Sequence, residues 1–167
     1  MSFSLLPAMI CDRITDLSAD YLKAQGIRLL MLDFDNTIIP YTTDVPTEQV
    51  LDWLRRMKLS DIQLCVVSNS RKGRVRTFCS QHGIDCITHA KKPFSRGICA
   101  CMERYGLNPT QCALAGDQIY TDVLGANCCG VKSILVHAID NHNFWLKARH
   151  VLELPFIYLA KKRRIGI

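Results

Sequence analysis

The stretch RLLMLDFDNT, residues 28–37, decides the fold of this chain. Its apolar run, 29–32, leads without interruption into two carboxylates, Asp33 and Asp35, that are separated by one phenylalanine. An unbroken apolar run is typical of a strand buried on both faces, as in a parallel sheet. Because side chains alternate along a strand, Asp33 and Asp35 are expected to point the same way from its C-terminal end, where open α/β sheets place their sites.

Two carboxylates this close repel each other unless a positive charge lies near them. A hard divalent cation such as Mg²⁺, which prefers oxygen ligands, supplies that charge most simply. In the alternative interpretation, Asp33, Asp35 and Asn36 only cap the turn after the strand, as such side chains often do. The stretch thus predicts a catalytic loop with a bound metal, as opposed to a purely structural turn.

Strand and helix patterns alternate along the rest of the chain. Five strands are predicted, at 28–32, 62–67, 84–88, 111–115 and 132–136, with helices between them and a further helix at 18–24. Such alternation is typical of a parallel sheet with right-handed crossovers and helices on both faces. The prediction is one Rossmann-like α/β domain over residues 1–167, divided into a helical N-terminal segment (1–27), a catalytic core (28–137) and a helical basic tail (138–167).

Composition narrows the class of protein. A chain of 167 residues, 49% of them hydrophobic, has the size for one packed core. No apolar run approaches the ~18 residues that span a bilayer, and the amino end lacks the features of a secretory signal, so we predict a cytoplasmic protein. The nine cysteines are odd in number and lack zinc-type spacing. We therefore predict that most of them are reduced and buried, with Cys65 and Cys112 in strands.

The formal net charge of +6 is concentrated in three clusters. The first two clusters follow predicted strands, and the third lies near the end of the sequence. The first comprises Arg71, Lys72, Arg74 and Arg76, the second Lys91, Lys92 and Arg96, and the third Lys161, Lys162, Arg163 and Arg164. Charge runs are usually solvated faces, but the first two are predicted at the sheet edge that holds the site. They indicate an anionic substrate or surface. No basic motif interleaved with aromatic residues indicates nucleic-acid binding.

Polar residues follow each of the next three strands. They are Ser68-Asn69-Ser70, Lys91-Lys92-Pro93, and Asp117 with Asp122 in GDQIYTD, residues 116–122. In a parallel sheet, these side chains and the two carboxylates after the first strand would gather along one edge. A carboxylate nucleophile, an acid for proton transfer, a lysine and Mg²⁺ are the parts of a phosphoryl-transfer site.

With these four ordered motifs, the chain resembles the haloacid dehalogenase (HAD) superfamily of phosphohydrolases from about residue 29 to residue 136. The resemblance implies that Asp33 is the nucleophile and Asp35 the general acid, with Thr37 ordering the phosphate-binding loop. It implies that Ser68 and Asn69 bind the phosphoryl group together with Lys92 or, as the fallback, Lys91. Mg²⁺ would be held by Asp33, the main-chain carbonyl of Asp35, and Asp117, and Asp122 would support either the metal or the lysine.

The spacing of the motifs leaves no room for a cap domain, since 30 residues separate Thr37 from Ser68 and 21 separate Asn69 from Lys91. Within the capless group (subclass IIIA), DFDNTIIPY (residues 33–41) and GDQIYTDVLGAN (residues 116–127) are similar to the bacterial YqeG-type phosphatases, which are related to mitochondrial phosphatidylglycerophosphate phosphatases. The resemblance implies removal of phosphate from phosphatidylglycerophosphate in phospholipid biosynthesis. It also implies peripheral contact with the inner face of a membrane, to which the segment 154–159 and the cations after it could contribute.

Two other functions stay open at this point. The motifs specify the chemistry more closely than the leaving group, so the substrate could be a phosphoprotein or a soluble phosphometabolite. A receiver-like phospho-acceptor module uses similar groups on a similar sheet, but its accepting aspartate ends the third strand. In this chain the third predicted strand ends at Thr88-His89, without an acid. The sequence does not indicate an oligomeric state.

Overall fold

A parallel sheet of six strands organises the part of the chain that the structure describes. The structure, a computed structural model, describes residues 3–71, 73–139 and 154–159. The strands are β1 (Met9–Cys11), β2 (Leu29–Leu32), β3 (Gln63–Val67), β4 (Asp85–Ile87), β5 (Cys112–Gly116) and β6 (Lys132–Val136). Their spatial order is β1-β6-β5-β2-β3-β4, and every neighbouring pair is parallel. The predicted α/β class with a parallel sheet is confirmed.

Helices cover both faces of this sheet. They are α1 (Ala19–Ala24), α2 (Glu48–Lys58), α3 (Gly73–His82), α4 (Arg96–Tyr105) and α5 (Leu124–Cys129), followed by a short helix at 154–159. Leu30 and Leu32 of β2 pack in the core beneath α1, α2 and α3, whereas Leu29 and Met31 pack on the opposite side with α4 and α5. Strand alternation therefore explains why the whole of the 29–32 run is apolar.

The sixth strand corrects the prediction of five strands, and it lies in the segment 1–27 that was predicted to be helical. β1 pairs with β6 in parallel, Ile10 opposite Leu135, and all three of its residues are buried. The strand was missed because three apolar residues form no periodic pattern, and their pairing partner lies more than a hundred positions away. The predicted burial of Cys65 and Cys112 is confirmed, and all nine cysteines are free.

The strand order sets the position of the site. From β2 the chain moves outward to β3 and β4, then returns to the other side of β2 as β5. The C-terminal ends of β2 and β5 therefore meet at the point where the direction of winding reverses, which is where open α/β sheets bind ligands. None of the helices described is long and apolar enough to cross a membrane.

Trp53 links α2 to the N-terminal segment. Its buried indole Nε1 donates a hydrogen bond of 2.7 Å to the carbonyl of Leu17, which is also buried. We expect Trp53→Phe to lower the free energy of unfolding by about 1–3 kcal/mol, because a buried carbonyl loses its donor. Urea denaturation measures the change. Leu59→Ala, at a side chain that is 90% exposed, is the control and should change stability by less than about 0.5 kcal/mol.

Candidate active site

Lys92 lies at the centre of the candidate site. Its side chain is only 1% exposed, and its ammonium Nζ is 2.7 Å from Oδ1 of Asp33 and 2.7 Å from Oδ1 of Asp122. Asp33 directly follows β2, Lys92 follows β4, and Asp122 lies in a π-helical turn after β5. The fold thus brings together three of the polar groups predicted at the strand ends. Lys91, the fallback from the sequence, is exposed.

Asp117 completes a cluster of three buried carboxylates. Oxygen atoms of Asp33, Asp117 and Asp122 all lie within 4.8 Å of one another. Three carboxylates and the single ammonium of Lys92 leave a formal excess of two negative charges in a buried space. Hard carboxylate oxygens at this spacing suit a divalent cation, which would also balance the excess charge. The predicted ligands Asp33 and Asp117 therefore fit a divalent metal.

The protonation of Asp33 reflects this excess of negative charge. Burial raises the pKa of Asp33 to about 7, and Asp122 and Asp35 add to the shift, although Lys92 opposes it. Burial by itself would lower the pKa of Lys92, but Asp122 and Asp33 outweigh it and raise that pKa. The lysine therefore remains a cation at neutral pH, while ionised Asp33 needs further positive charge near it.

Asp122 is held in place by the turn that precedes it. Its Oδ2 accepts a hydrogen bond of 3.1 Å from the main-chain N–H of Gln118. Its carboxylate also occupies the space that a Cβ would need at Gly116, so glycine is required at the end of β5. The sequence left open whether Asp122 supports the metal or the lysine. The structure places it against Lys92, within the same carboxylate cluster.

Asn69 connects the end of β3 to the backbone of the lysine. Its Oδ1 accepts from the N–H of Lys92 at 2.7 Å, and its Nδ2 donates to the carbonyl of Lys92 at 2.9 Å. These two bonds position Lys92, which is a role that the sequence did not reveal. Ser68 is buried, and its Oγ accepts from the N–H of Ser70 at 3.1 Å. Phosphoryl binding by Ser68 and Asn69 stays a prediction.

Thr37 lies in the tight loop after β2. The N–H of Asn36, whose φ is 64°, donates to the carbonyl of Ile39 at 2.7 Å and closes this loop. Thr37 is buried and lines a cavity of about 450 Å³ between the loop and the end of β6, where Val136 forms part of the wall. Its predicted part in ordering the phosphate-binding loop is untested by these contacts.

Arg74 differs from its predicted position. The sequence predicted it in a cluster of cations at the sheet edge, directed at an anionic substrate or surface, but its side chain is only 11% exposed, and Nη1 lies 3.4 Å from Oδ1 of Asp35. The first turn of α3 directs this residue to the loop after β2. Arg71, Lys91 and Arg96 of the same two clusters are exposed. Lys72 and the cations at 161–164 lie outside the described residues.

The chain matches the family model described as mitochondrial PGP phosphatase over residues 2–139. It is 31% identical over 131 residues to a relative from Bacillus subtilis named "Probable phosphatase YqeG", a match that covers 78% of this chain and 76% of the relative.

Solved structures share the fold. One is the cobalt-bound deoxy-D-mannose-octulosonate 8-phosphate phosphatase of Haemophilus influenzae, with a TM-score of 0.56 at 15% identity, covering 78% of this chain and 90% of the other. Another is a HAD phosphatase from Thermococcus onnurineus, with a TM-score of 0.50 at 19% identity, covering 59% of this chain and 50% of the other.

Together, the family match and the named relative define a phosphatase, and its fold is shared by a solved HAD phosphatase. In particular, the chain belongs to the mitochondrial PGP phosphatase family, which its similarity to YqeG also supports. The resemblance seen in the sequence is thereby confirmed.

The raised pKa of Asp33 predicts how the stability of the metal-free protein depends on pH. The folded state favours the protonated acid, so the stabilising contribution of Asp33 is fully present below its unfolded pKa of 3.8 and is lost as the pH rises through about 7. Asp33→Asn removes this loss. We therefore expect the variant to melt at a higher temperature than the wild type at pH 8 in chelator, with a smaller difference at pH 5.

Thermal unfolding followed by circular dichroism at the two pH values measures this effect. Asp61→Asn, at an exposed carboxylate remote from the cluster, serves as the control and should show no pH-dependent difference. A lower melting temperature for Asp33→Asn at pH 8 would contradict the expected repulsion.

Proposed function

We propose that this phosphatase hydrolyses phosphatidylglycerophosphate to phosphatidylglycerol and inorganic phosphate, using Mg²⁺ and an aspartyl-phosphate formed on Asp33. The observation that carries the proposed chemistry is the buried Lys92 ammonium, 2.7 Å from Asp33 and facing the edge of the sheet where Asp117 and Asp122 also lie. The membership of the mitochondrial PGP phosphatase family supports the substrate.

In the first step, a carboxylate oxygen of Asp33 attacks phosphorus, and the bond from phosphorus to the leaving alcohol oxygen breaks. Asp35 gives its proton to that oxygen. In the second step, Asp35 takes a proton from a water molecule, which attacks phosphorus, releases inorganic phosphate and restores Asp33. Lys92 offsets charge on the phosphoryl oxygens throughout.

The residues that would hold Mg²⁺ are Asp33 and Asp117 through their carboxylates and Asp35 through its main-chain carbonyl. When bound, the ion would offset the negative charge of the phosphoryl group beside these carboxylates. The two buried acids and their closeness to Asp122 support this assignment.

The approach to the site supports a large substrate. The 30 residues between Thr37 and Ser68 contain α2 and β3, and the 21 residues between Asn69 and Lys91 contain α3 and β4. Apart from residue 72, these intervals are described in full, and they hold core elements instead of an inserted domain. A site with no cap inserted in either of these intervals can accept a phosphate that stays attached to a lipid in a membrane.

The rim of the site combines apolar and basic side chains. Tyr41, Val45, Phe94 and Ile139 are large hydrophobic residues that are exposed, and all four belong to loops at the C-terminal edge of the sheet. The exposed cations Arg71, Lys91 and Arg96 follow strands at the same edge. Apolar residues beside cations are typical of surfaces that bind anionic membranes, where each cation contributes about 1 kcal/mol. This rim supports a peripheral position on a membrane.

The direct test is phosphate release from phosphatidylglycerophosphate in mixed micelles with Mg²⁺, with p-nitrophenyl phosphate as a soluble ester in parallel. We expect the wild type to turn over the lipid and Asp33→Asn to release no phosphate while keeping its fold. A chelator should abolish the activity, and Mg²⁺ should restore it. Turnover of the soluble ester alone would refute the lipid substrate and leave the chemistry standing, and retained activity in Asp33→Asn would refute the nucleophile.

Asp35→Asn tests the proton-transfer role. Because the amide neither donates an acidic proton nor accepts one from water, we expect turnover to fall by about 10²–10⁴-fold, the usual contribution of a general acid or base. Steady-state kinetics on the lipid measure the loss. A reduction of only a few-fold would argue against this role.

Phe94→Ser tests contact with the membrane. Phe94 is 72% exposed and lies two residues after Lys92. We expect Phe94→Ser to reduce sedimentation with vesicles containing anionic lipid, and to reduce lipid turnover about as much, because apolar area that would enter the interface is lost. Activity on p-nitrophenyl phosphate should not change. Leu59→Ser is the matched control, because Leu59 lies at the C-terminal end of α2, away from the site, and this variant should bind vesicles like the wild type. Equal losses in both variants would contradict the proposed surface.

A further inference from the structure

Arg74 is a nearly buried cation that the proposed mechanism does not use. It is the second residue of α3, and its guanidinium meets two carboxylates. Nη1 lies 3.4 Å from Oδ1 of Asp35, and Nε lies 2.8 Å from Oδ1 of Asp44. Its Cζ lies 5.2 Å from the centroid of the Phe34 ring, at a distance typical of a cation–π contact. Arg74 therefore contacts two of the three residues of the DFD motif.

The same guanidinium ties down the loop at 40–45. Its Nη2 donates to the carbonyl of Pro40 at 3.2 Å and to the carbonyl of Thr43 at 2.7 Å. Tyr41 and Val45 of this loop are exposed, while Pro40, Thr43 and Val45 line the cavity of about 450 Å³. A loop that faces solvent on one side and a cavity on the other makes few packing contacts that hold it in place. Hydrogen bonds from Arg74 therefore connect it to the rigid helix α3.

Arginine is suited to this task by its shape. Its guanidinium is planar and presents five N–H donors in a fixed fork, so acceptors on several groups can be held in one geometry. Here the guanidinium donates hydrogen bonds to two carbonyls and forms ion pairs with two carboxylates. The contact with Asp35, at 3.4 Å, is longer than the ~2.7–2.9 Å of a short charge-assisted hydrogen bond. It can orient the carboxylate without the tight bond that would hold it away from the leaving group.

We propose that Arg74 is a positioning residue for the general acid. It holds the Asp35 carboxylate in the orientation that delivers a proton to the leaving oxygen, and it fixes the loop at 40–45 beside the leaving group. This inference rests on the proposed role of Asp35 as the proton donor. In the first step its consequence is selective, because a leaving group that departs poorly without a proton depends on Arg74, whereas one that departs as a stable anion does not.

The experiment measures kcat/KM, which covers the steps up to the departure of the leaving group, for a series of aryl phosphates whose leaving phenols range from strongly to weakly acidic. In Arg74→Met, we expect kcat/KM for phenyl phosphate to fall at least about tenfold, a part of the ~10²–10⁴-fold that an acid contributes. We expect kcat/KM for p-nitrophenyl phosphate to fall less than about threefold. The dependence of rate on leaving-group acidity should thus become steeper than in the wild type.

Three further variants identify the cause. Arg76→Met removes an exposed arginine on the same helix and should leave the ratio of the two rates unchanged. Asp44→Asn weakens one tether of the loop while keeping the contact with Asp35, so its ratio should stay within about threefold of the wild type. In Arg74→Ala, guanidinium ion added to the assay should restore the rate on phenyl phosphate, which a general loss of folding would not allow.

Equal losses on all esters, or an unchanged ratio in active Arg74→Met, would overturn the inference and leave the proposed function intact. Hydrogen exchange of residues 36–45 gives a second readout that does not need turnover, and it should become faster in Arg74→Met. Unchanged hydrogen exchange of residues 36–45 would also overturn the proposal that Arg74 fixes the loop at 40–45. Inactivity of the wild type toward every ester tested would instead count against the proposed function.

Discussion

The ammonium of Lys92, enclosed between the carboxylates of Asp33 and Asp122, is the interaction on which the arrangement of this site depends. A buried charge is costly unless it is paired, and a lysine buried between two carboxylates is paired on both sides. The surrounding structure is arranged accordingly. Asn69 holds the lysine's backbone, the N–H of Gln118 holds Asp122, and Gly116 leaves the space that this carboxylate needs. Such a buried pair is weak evidence for stability, but it constrains the ends of β2, β4 and β5 to one geometry.

The sequence predicted those parts that are encoded by neighbouring residues. The apolar run 29–32 and the polar residues directly after it are contiguous, so both the strand and the placement of Asp33 at its end could be inferred locally. The same holds for Asp117 after β5. Because the order of motifs follows the order of strands, the parallel α/β class and the gathering of these groups at one edge followed as well.

What the sequence did not predict depends on contacts between distant segments. β1 is too short to show a pattern, and its identity as a strand comes from β6. The hydrogen bonds between the Asn69 side chain and the backbone of Lys92 join loops after different strands. The ion pair of Arg74 with Asp35 joins a helix to a loop. A charge run in a sequence does not reveal which member turns inward. Arg74 turned inward because two carboxylates and two carbonyls surround it there.

The pairing of the first strand with the last has a consequence for biosynthesis. Of the strands described, β1 leaves the ribosome first and its partner β6 last, so β1 must wait unpaired while the intervening residues are translated. β2, β3 and β4 can associate earlier, but one edge of β2 stays open until β5 follows. Since Asp117 and Asp122 lie beyond β5, the catalytic edge is assembled late. A nascent chain halted before that point would carry the nucleophile on an incomplete sheet, without the acids that complete its surroundings.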